Sequence, residues 1–130
     1  MIGYAADIEK ETLKNNYFRK VLFTGKHMQL VVMSIKPGEE IGTEVHKGVD
    51  QFFRVEQGEV VFIINNKQMT KICEDGVFIV PAGAKHNVIN KSKTKTAKLY
   101  TIYTPPNHPP KTVHKTLKEA MDAEEHEHHH

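Results

Sequence analysis

The amino-acid sequence predicts an all-β domain in which two sheets pack around one core. About nine short runs rich in β-branched and aromatic residues lie between positions 19 and 104, and no helical segment interrupts them. The chain has 130 residues, enough for a single core, and its hydrophobic share of 38% suits a thin-walled β-structure. A jelly roll has this pattern, as does an unrelated β-sandwich with the same strand content.

The expected strands are separated by turn signals at close intervals. Asn65-Asn66 is typical of a tight hairpin turn, and Asp75-Gly76 precedes a further strand. The predicted strands span residues 19–24, 28–36, 51–57, 59–65, 67–73, 77–80, 86–90 and 97–104, and a further short strand carries Glu44 and His46. Their number and spacing place the β-domain at residues 19–104.

The segments on either side of this β-domain have a different character. Residues 1–18 form an expected N-terminal arm, and residues 105–125 hold a prolyl loop followed by a short helix over 116–125. The prolyl loop ends the β region because proline cannot join a strand ladder. Thr116 is the expected N-cap of the helix, with Glu119 three residues later. Residues 126–130 form a histidine-rich tail, natural or a purification tag, and are left out of the site.

Composition excludes several classes of function. The 18 basic and 16 acidic residues leave a net charge of +2, too little to indicate a nucleic-acid partner. No apolar run reaches the ~18 residues that a membrane helix needs, and the N-terminus carries acidic residues where a signal peptide would be apolar. We therefore expect a cytoplasmic protein with no membrane partner. Cys73 is the single cysteine of the sequence, so an internal disulfide is excluded. Its strand-like surroundings predict a buried or half-buried, inert thiol.

Two patterns of spaced polar residues and glycines point to a metal site. The first reads G-x5-E-x-H-x4-Q-x6-G and the second P-x-G-x2-H-x3-N. Their residues are Gly38, Glu44, His46, Gln51 and Gly58, then Pro81, Gly83, His86 and Asn90. Glu44 and His46 share a face because side chains alternate along a strand, and a reversal over residues 47–50 returns Gln51 toward them. His86 arrives from a separate strand. Two imidazoles, a carboxylate and an amide oxygen are thus candidate metal ligands, although Gln51 could instead orient a water or another ligand.

These patterns resemble the two conserved motifs of the cupin superfamily. The second motif matches from its proline onward, whereas the first has Glu44 where cupins usually have histidine and Gln51 where they usually have glutamate. The resemblance implies a double-stranded β-helix, the jelly-roll barrel of cupins, with an N-terminal arm and a short C-terminal helix. Residues 50–59 also look like small single-domain bacterial cupins, with a loose likeness to the mannose-6-phosphate isomerase cupin domain.

The resemblance implies a divalent transition metal but no particular reaction. An oxygen-rich set of ligands favours Mn or Fe, while imidazole also suits Zn and Ni. Our first hypothesis is a metalloenzyme whose ion acts as a Lewis acid on a small polar substrate, such as a carbohydrate derivative, in isomerase, lyase or cyclase chemistry. The alternatives are an Fe-dependent dioxygenase and a non-enzymatic module that binds or senses a small molecule.

The remaining expectations concern residues outside the motifs. His27, His108 and His114 match no motif position and are expected on the surface. Tyr100 and Tyr103 have opposite strand parity, so at most one of them faces the cavity. Because cupins commonly exchange edge strands or arms, we expect a homodimer that uses the N-terminal arm and the prolyl segment.

Overall fold

The computed structural model describes residues 2–128, with side chains described as far as Glu124. It has ten strands and two helices. The strands are β1 (Arg19–Thr24), β2 (Gln29–Ile35), β3 (Glu44–Val45), β4 (Asp50–Gln57), β5 (Val60–Ile64), β6 (Gln68–Ile72), β7 (Val77–Val80), β8 (Lys85–Ile89), β9 (Ala97–Thr104) and β10 (Val113–His114). The helices are α1 (Ile8–Lys14) and α2 (Leu117–His128). The all-β prediction is confirmed, and the side chains of the histidine-rich tail lie outside the described part.

The strands form two antiparallel sheets that face each other as a jelly roll. The larger sheet has the order β10-β1-β2-β9-β4-β7, and the smaller has the order β3-β8-β5-β6. The β5–β6 hairpin turns at Asn65 and Asn66, whose φ angles of 53° and 58° are those of the predicted tight turn. Neighbours in each sheet come from distant parts of the chain, so the topology gathers the two motifs at one end of the barrel.

The core lies between the inner faces of the two sheets. Val31, Met33 and Ile35 alternate along β2 and are fully buried, as the period of two requires. Phe53 of the larger sheet packs against Phe62 of the smaller, with ring centroids 5.0 Å apart. This aromatic contact fixes the spacing of the sheets beside the candidate site.

The flanking segments pack on the barrel. Helix α1, which the sequence did not predict, begins after Asp7 and lies against β9, β4 and β2. Lys98 donates to the carbonyl oxygen of Leu13 at 2.6 Å and holds the arm to its own barrel. Helix α2 begins as predicted, with the Glu119 amide donating to Thr116 Oγ1 at 3.1 Å, and it continues three residues beyond the predicted end. Neither helix within residues 2–128 is long and apolar enough to cross a membrane.

Two details of the sequence prediction are wrong. The prolyl segment does not end the β region, because β10 follows it and pairs with β1, the edge of the larger sheet that was still open. Cys73 is exposed rather than buried, because β6 ends at Ile72 and the thiol follows it in a turn. Its Sγ atom contacts Glu59 Oε2 at 3.5 Å.

Candidate functional site

Three of the four predicted ligands lie together at one end of the smaller sheet. Glu44 on β3 and His86 on β8 are direct cross-strand partners. His46 lies two residues after Glu44 and therefore on the same face, and its ring centroid is 5.4 Å from that of His86. His86 is buried, and the side chains of Glu44 and His46 keep only 12% and 13% of their surface exposed. The strand register thus collects one carboxylate and two imidazoles in a nearly dry place.

The contact between Glu44 and His46 is unusual. Glu44 Oε2 and His46 Nε2 are 2.9 Å apart, yet the ring N–H does not align with the carboxylate, and this buried nitrogen has no hydrogen-bond partner. The pair is therefore a close contact between two potential metal donors rather than a well-formed hydrogen bond. Such an arrangement leaves both atoms able to bind a third group.

Gln51 lies in the facing sheet. It is buried beside Tyr103, its cross-strand partner, and its Nε2 donates to Thr101 Oγ1 at 3.0 Å. Its Oε1 makes no well-aligned hydrogen bond, although the Tyr103 hydroxyl is near. The Tyr103 ring also meets the His46 ring edge-on, with centroids 5.9 Å apart. Gln51 therefore faces the interior as predicted, but its side chain contacts Tyr103 and Thr101 rather than the other three predicted ligands.

The predicted set of four ligands is not preassembled. Among the side chains that the structure describes, those of residues 2–124, no three of His, Cys, Asp or Glu have an arrangement that would already hold a metal ion. Glu44, His46, Gln51 and His86 consequently stay a predicted ligand set.

A cavity of about 350 Å³ opens beside the Glu44–His46 pair. Its other wall comes from β1, the prolyl loop, β10 and α2. The lining side chains that matter here are Arg19, Glu44, His46, His108, His114 and Glu124. Of the two tyrosines on β9, Tyr103 is buried and points inward whereas Tyr100 is only partly buried, which agrees with the expectation that at most one of them faces inward.

The expectation of surface histidines is wrong at two positions. His27 is exposed, but His108 and His114 are partly buried and line the cavity. His108 is carried there by the prolyl loop, which folds over the barrel, and no local sequence signal marks this. His114 is placed by β10, where it is the cross-strand partner of Arg19. The inward orientation of Arg19 could have been predicted from the sequence. Arg19 is two residues from Val21 on β1, so the two side chains share the apolar face of the strand.

Residues 31–103 match the family model of the cupin domain, more than half of the chain. The chain belongs to the cupin family. Within this cupin, all four predicted ligands fall inside the matched region, whereas Arg19, His108 and His114 fall outside it. The family therefore accounts for one wall of the cavity and leaves the other to the flanking segments.

Relatives from several sources support the assignment of this cupin. The uncharacterised protein YrkC of Bacillus subtilis (strain 168) is 44% identical over 127 residues, which cover 94% of this chain and 68% of that protein. An uncharacterised protein of Acanthamoeba polyphaga mimivirus is 44% identical over 109 residues, covering 82% of this chain and 68% of that protein. The crystal structure of BH2720 from Bacillus halodurans has a TM-score of 0.88 and 42% identity, covering 92% and 93% of the two chains.

The electrostatics of the cavity favour an ionised Glu44 and a neutral His86. Burial alone would raise the pKa of Glu44, but the adjacent His46, with Arg19 and His86, outweighs burial and lowers it. Burial lowers the pKa of His86, with the charge of Glu44 opposing. These are the protonation states that a carboxylate and an imidazole need in order to bind a metal.

Tyr103 and His108, on the opposite side, are both neutral at physiological pH. Burial raises the pKa of Tyr103, which therefore keeps its proton at physiological pH. Burial, helped by the charge of Arg19, lowers the pKa of His108 to about 3. Tyr103 Oη and His108 Nε2 lie 3.2 Å apart, and the tautomer of the neutral imidazole decides which of the two donates the hydrogen bond.

Gln29 fixes the prolyl loop in place. This fully buried glutamine on β2 donates to the His108 carbonyl oxygen at 2.7 Å and accepts from the amides of Asn107 and His108 at 3.2 and 3.0 Å. Its second donated bond goes to Thr24 Oγ1 at 2.9 Å. The glutamine replaces the hydrogen bonds that these loop groups would otherwise make with water, and it thereby positions His108 against Tyr103.

Proposed function

We propose that this cupin binds a divalent transition metal through Glu44, His46 and His86 and uses it on a small polar ligand held in the adjacent cavity. Gln51 would supply a fourth donor or orient the bound ligand. Mn or Fe fits the mixed oxygen and nitrogen set best, with Zn or Ni as further candidates. When bound, the ion would supply Lewis-acid polarisation of a ligand oxygen.

The observation that carries the proposal is the Glu44–His46 pair. His46 Nε2 is buried without a hydrogen-bond partner and stands 2.9 Å from Glu44 Oε2. Burying such an atom unsatisfied is costly, and a cation shared by His46 and Glu44 would remove that cost. The Gln51 Oε1 atom, buried and without an aligned hydrogen bond, is a further acceptor facing the interior. The donor set therefore fits a metal ion, although it is not preassembled for one.

The chain's own residues suggest how a ligand would be held. Tyr103 is buried behind the cavity wall, and the contact of its hydroxyl with His108 Nε2 at 3.2 Å fixes the imidazole that a ligand would meet. The prolyl loop and α2 shield the cavity from bulk water, so polar contacts inside it are stronger than at the surface. This arrangement suits isomerase, lyase or cyclase chemistry on a small polar substrate.

A second candidate function, a module that binds or senses a small ligand, is favoured by a specific observation. Isomerase and lyase reactions need a general base with a pKa near the working pH. Tyr103 has a raised pKa and His108 has one of about 3, so both are poor bases near neutrality. A metal that only holds its ligand would need no such base.

Measuring the metal content of the protein tests whether a metal binds at the proposed site. The background protein carries glutamine at the four tail histidines, so that surface binding there does not interfere. We would measure bound metal by elemental analysis in this background and in its His46→Ala, His86→Ala and His27→Ala variants. Near one ion per chain, lost in both site variants and kept in the exposed His27→Ala control, is the expected result. Metal that persists in both site variants would overturn the assignment.

The identity of the metal then directs the activity assay. Mn or Zn leads to isomerase and lyase substrates. Fe leads to dioxygen consumption, because two imidazoles and one carboxylate are the ligands of non-haem Fe(II) oxygenases. Stoichiometric metal with tight ligand binding and no turnover would support the binding module.

A further inference from the structure

We propose that the Arg19 end of the cavity recognises an oxyanion, a carboxylate or a phosphate, on a small ligand. This inference deepens the proposed function, on which it rests for placing the ligand in this cavity. It is carried by Arg19 and its surroundings rather than by the metal donors. The ligand class would therefore be a small organic acid or a small phosphorylated compound.

Arg19 is fixed in the wall of the cavity. It lies on β1 between β10 and β2, opposite His114 on one side and Met33 on the other. Only 6% of its surface is exposed, and its guanidinium carbon lies 5.3 Å from the centre of the Phe18 ring. Because strand pairing and the aromatic contact set its position, the guanidinium is pre-organised for a ligand.

The donors of Arg19 are only partly used. Nη1 is 3.2 Å from His114 Nδ1. An arginine can only donate, so Nδ1 must accept, and His114 is therefore the neutral tautomer that carries its proton on Nε2. The Nε–H of Arg19 is buried and has no hydrogen-bond partner. The pairing with His114 thus adds no negative charge and leaves one charged donor unsatisfied.

Arg19 makes no close ion pair in the described part of the protein, although the Glu44 carboxylate and the Tyr103 hydroxyl lie near enough to interact with it. Among residues whose side chains are described, no carboxylate forms an ion pair with it. A buried cation without a close ion pair is unfavourable, and leaving one of its donors unpaired adds to the cost. The guanidinium fork is the side chain best matched to carboxylate and phosphate oxygens. An anionic ligand would supply a close counter-charge and the missing acceptor.

The rest of the cavity limits the size of the ligand and the position of its negative charge. Its volume of about 350 Å³ is at the low end of the range for small-molecule sites. Glu44 and Glu124 also line it, so an anion is favoured at the Arg19 end rather than throughout. A divalent ion at Glu44 would offset that negative charge. We therefore expect anions to bind more tightly to metal-loaded than to metal-free protein.

The test compares anionic and neutral probes of similar size. Succinate, inorganic phosphate and the neutral polyol erythritol would be titrated into the full chain by calorimetry at constant ionic strength, with and without metal. The variants are Arg19→Met, which removes the charge, and Arg19→Lys, which keeps the charge but loses the fork. Lys20→Met is the matched control, because the neighbouring residue on β1 points to the other face.

We expect succinate, phosphate or both to bind the wild type, and erythritol to bind much more weakly. Affinity for the bound anion should fall about 10- to 100-fold in Arg19→Met, fall less in Arg19→Lys, and stay unchanged in Lys20→Met. The relative affinities for succinate and phosphate distinguish the two kinds of oxyanion. Replacing a buried ion with an apolar residue is often neutral for stability, and urea unfolding of both Arg19 variants checks this.

Several results would overturn the inference. These are no binding of either anion to the wild type, equal anion affinity in Arg19→Met, or binding of erythritol as tight as that of the anions. The two proposals fail in distinguishable ways. Anion binding that depends on Arg19 in a protein that takes up no metal would refute only the metal proposal. Metal binding with anion affinity independent of Arg19 would refute only this one.

Discussion

Replacing Gln29 with methionine should loosen the loop that forms one wall of the cavity. Methionine has a similar shape but makes none of the four hydrogen bonds that join Gln29 to Thr24, Asn107 and His108. Each lost bond costs about 1 kcal/mol net, and more if its partner stays buried. Because the Asn107 side of the loop is exposed and can regain water, we expect a total loss of about 2 to 3 kcal/mol in the free energy of unfolding.

Urea unfolding measures this loss, and thermal unfolding gives a second value. For a domain of this size the expected drop in Tm is roughly 6 to 12 °C. Gln57→Met is the matched control, because Gln57 is only partly buried and donates a single hydrogen bond, to the Thr96 carbonyl oxygen at 2.9 Å. It should cost about 1 kcal/mol or less. The slope of free energy against urea should stay the same in both variants.

Hydrogen exchange gives a local measure of the same change. The amides of Asn107 and His108 donate to Gln29, so their exchange should become faster in Gln29→Met, while amides at the centre of β2 and β9 change only with global stability. A loss of stability below about 0.5 kcal/mol, with unchanged exchange at both amides, would show that Gln29 does not hold the loop.

Three further predictions concern pH, backbone strain and assembly. Burial lowers the pKa of His108 from 6.5 to about 3, so the stability it contributes is complete above pH 6.5 and is lost as the pH falls. Between pH 6.5 and 5, the free energy of unfolding measured with urea should fall by about 2 kcal/mol less in His108→Gln than in wild type. An equal fall in both proteins would contradict this prediction. Gly58→Ala should lower the free energy of unfolding by about 2 kcal/mol or more, because φ is +79° and the added Cβ would lie 3.2 Å from Ala97 Cα. Gly38 has the same φ but open space around it, so Gly38→Ala should cost less. Equal urea midpoints for the two variants would refute the steric argument. Light scattering at several concentrations should give about twice the chain mass of 14.8 kDa, and a monomer throughout would refute the homodimer.

The barrel could be predicted from sequence because its signals are local. Alternation of buried and exposed residues and turn residues such as Asn65-Asn66 fix strands and hairpins within a few positions. The inward orientation of Glu44, His46 and His86 also followed, because parity along a strand and fixed motif spacing determine it. Helix α1 was missed because its seven residues gain their stability from packing on the barrel rather than from their own sequence.

The second wall of the cavity could not be predicted, because it depends on contacts between distant residues. His114 meets Arg19 through the pairing of β10 with β1, and His108 reaches Tyr103 because Gln29 binds the loop from 79 residues away. No short window of sequence contains Arg19 with His114 or Gln29 with His108. Tyr103 is only five residues before His108, but it meets His108 where Gln29 holds the loop. A prolyl segment read alone is an exposed loop, and only the folded barrel turns it into a wall.

This division of the cavity explains why family membership leaves the ligand open. Residues 31–103 match the cupin domain and contain Glu44, His46, Gln51 and His86, so the proposed metal donors all lie in the matched region. The residues that a ligand would meet on the opposite side come from outside the matched region. Under our proposal, a change there would alter which ligand enters without disturbing these donors, and a change in the donors would remove the metal without altering Arg19. Metal affinity and ligand choice should therefore respond to separate mutations, which is the pattern expected when one fold serves many functions.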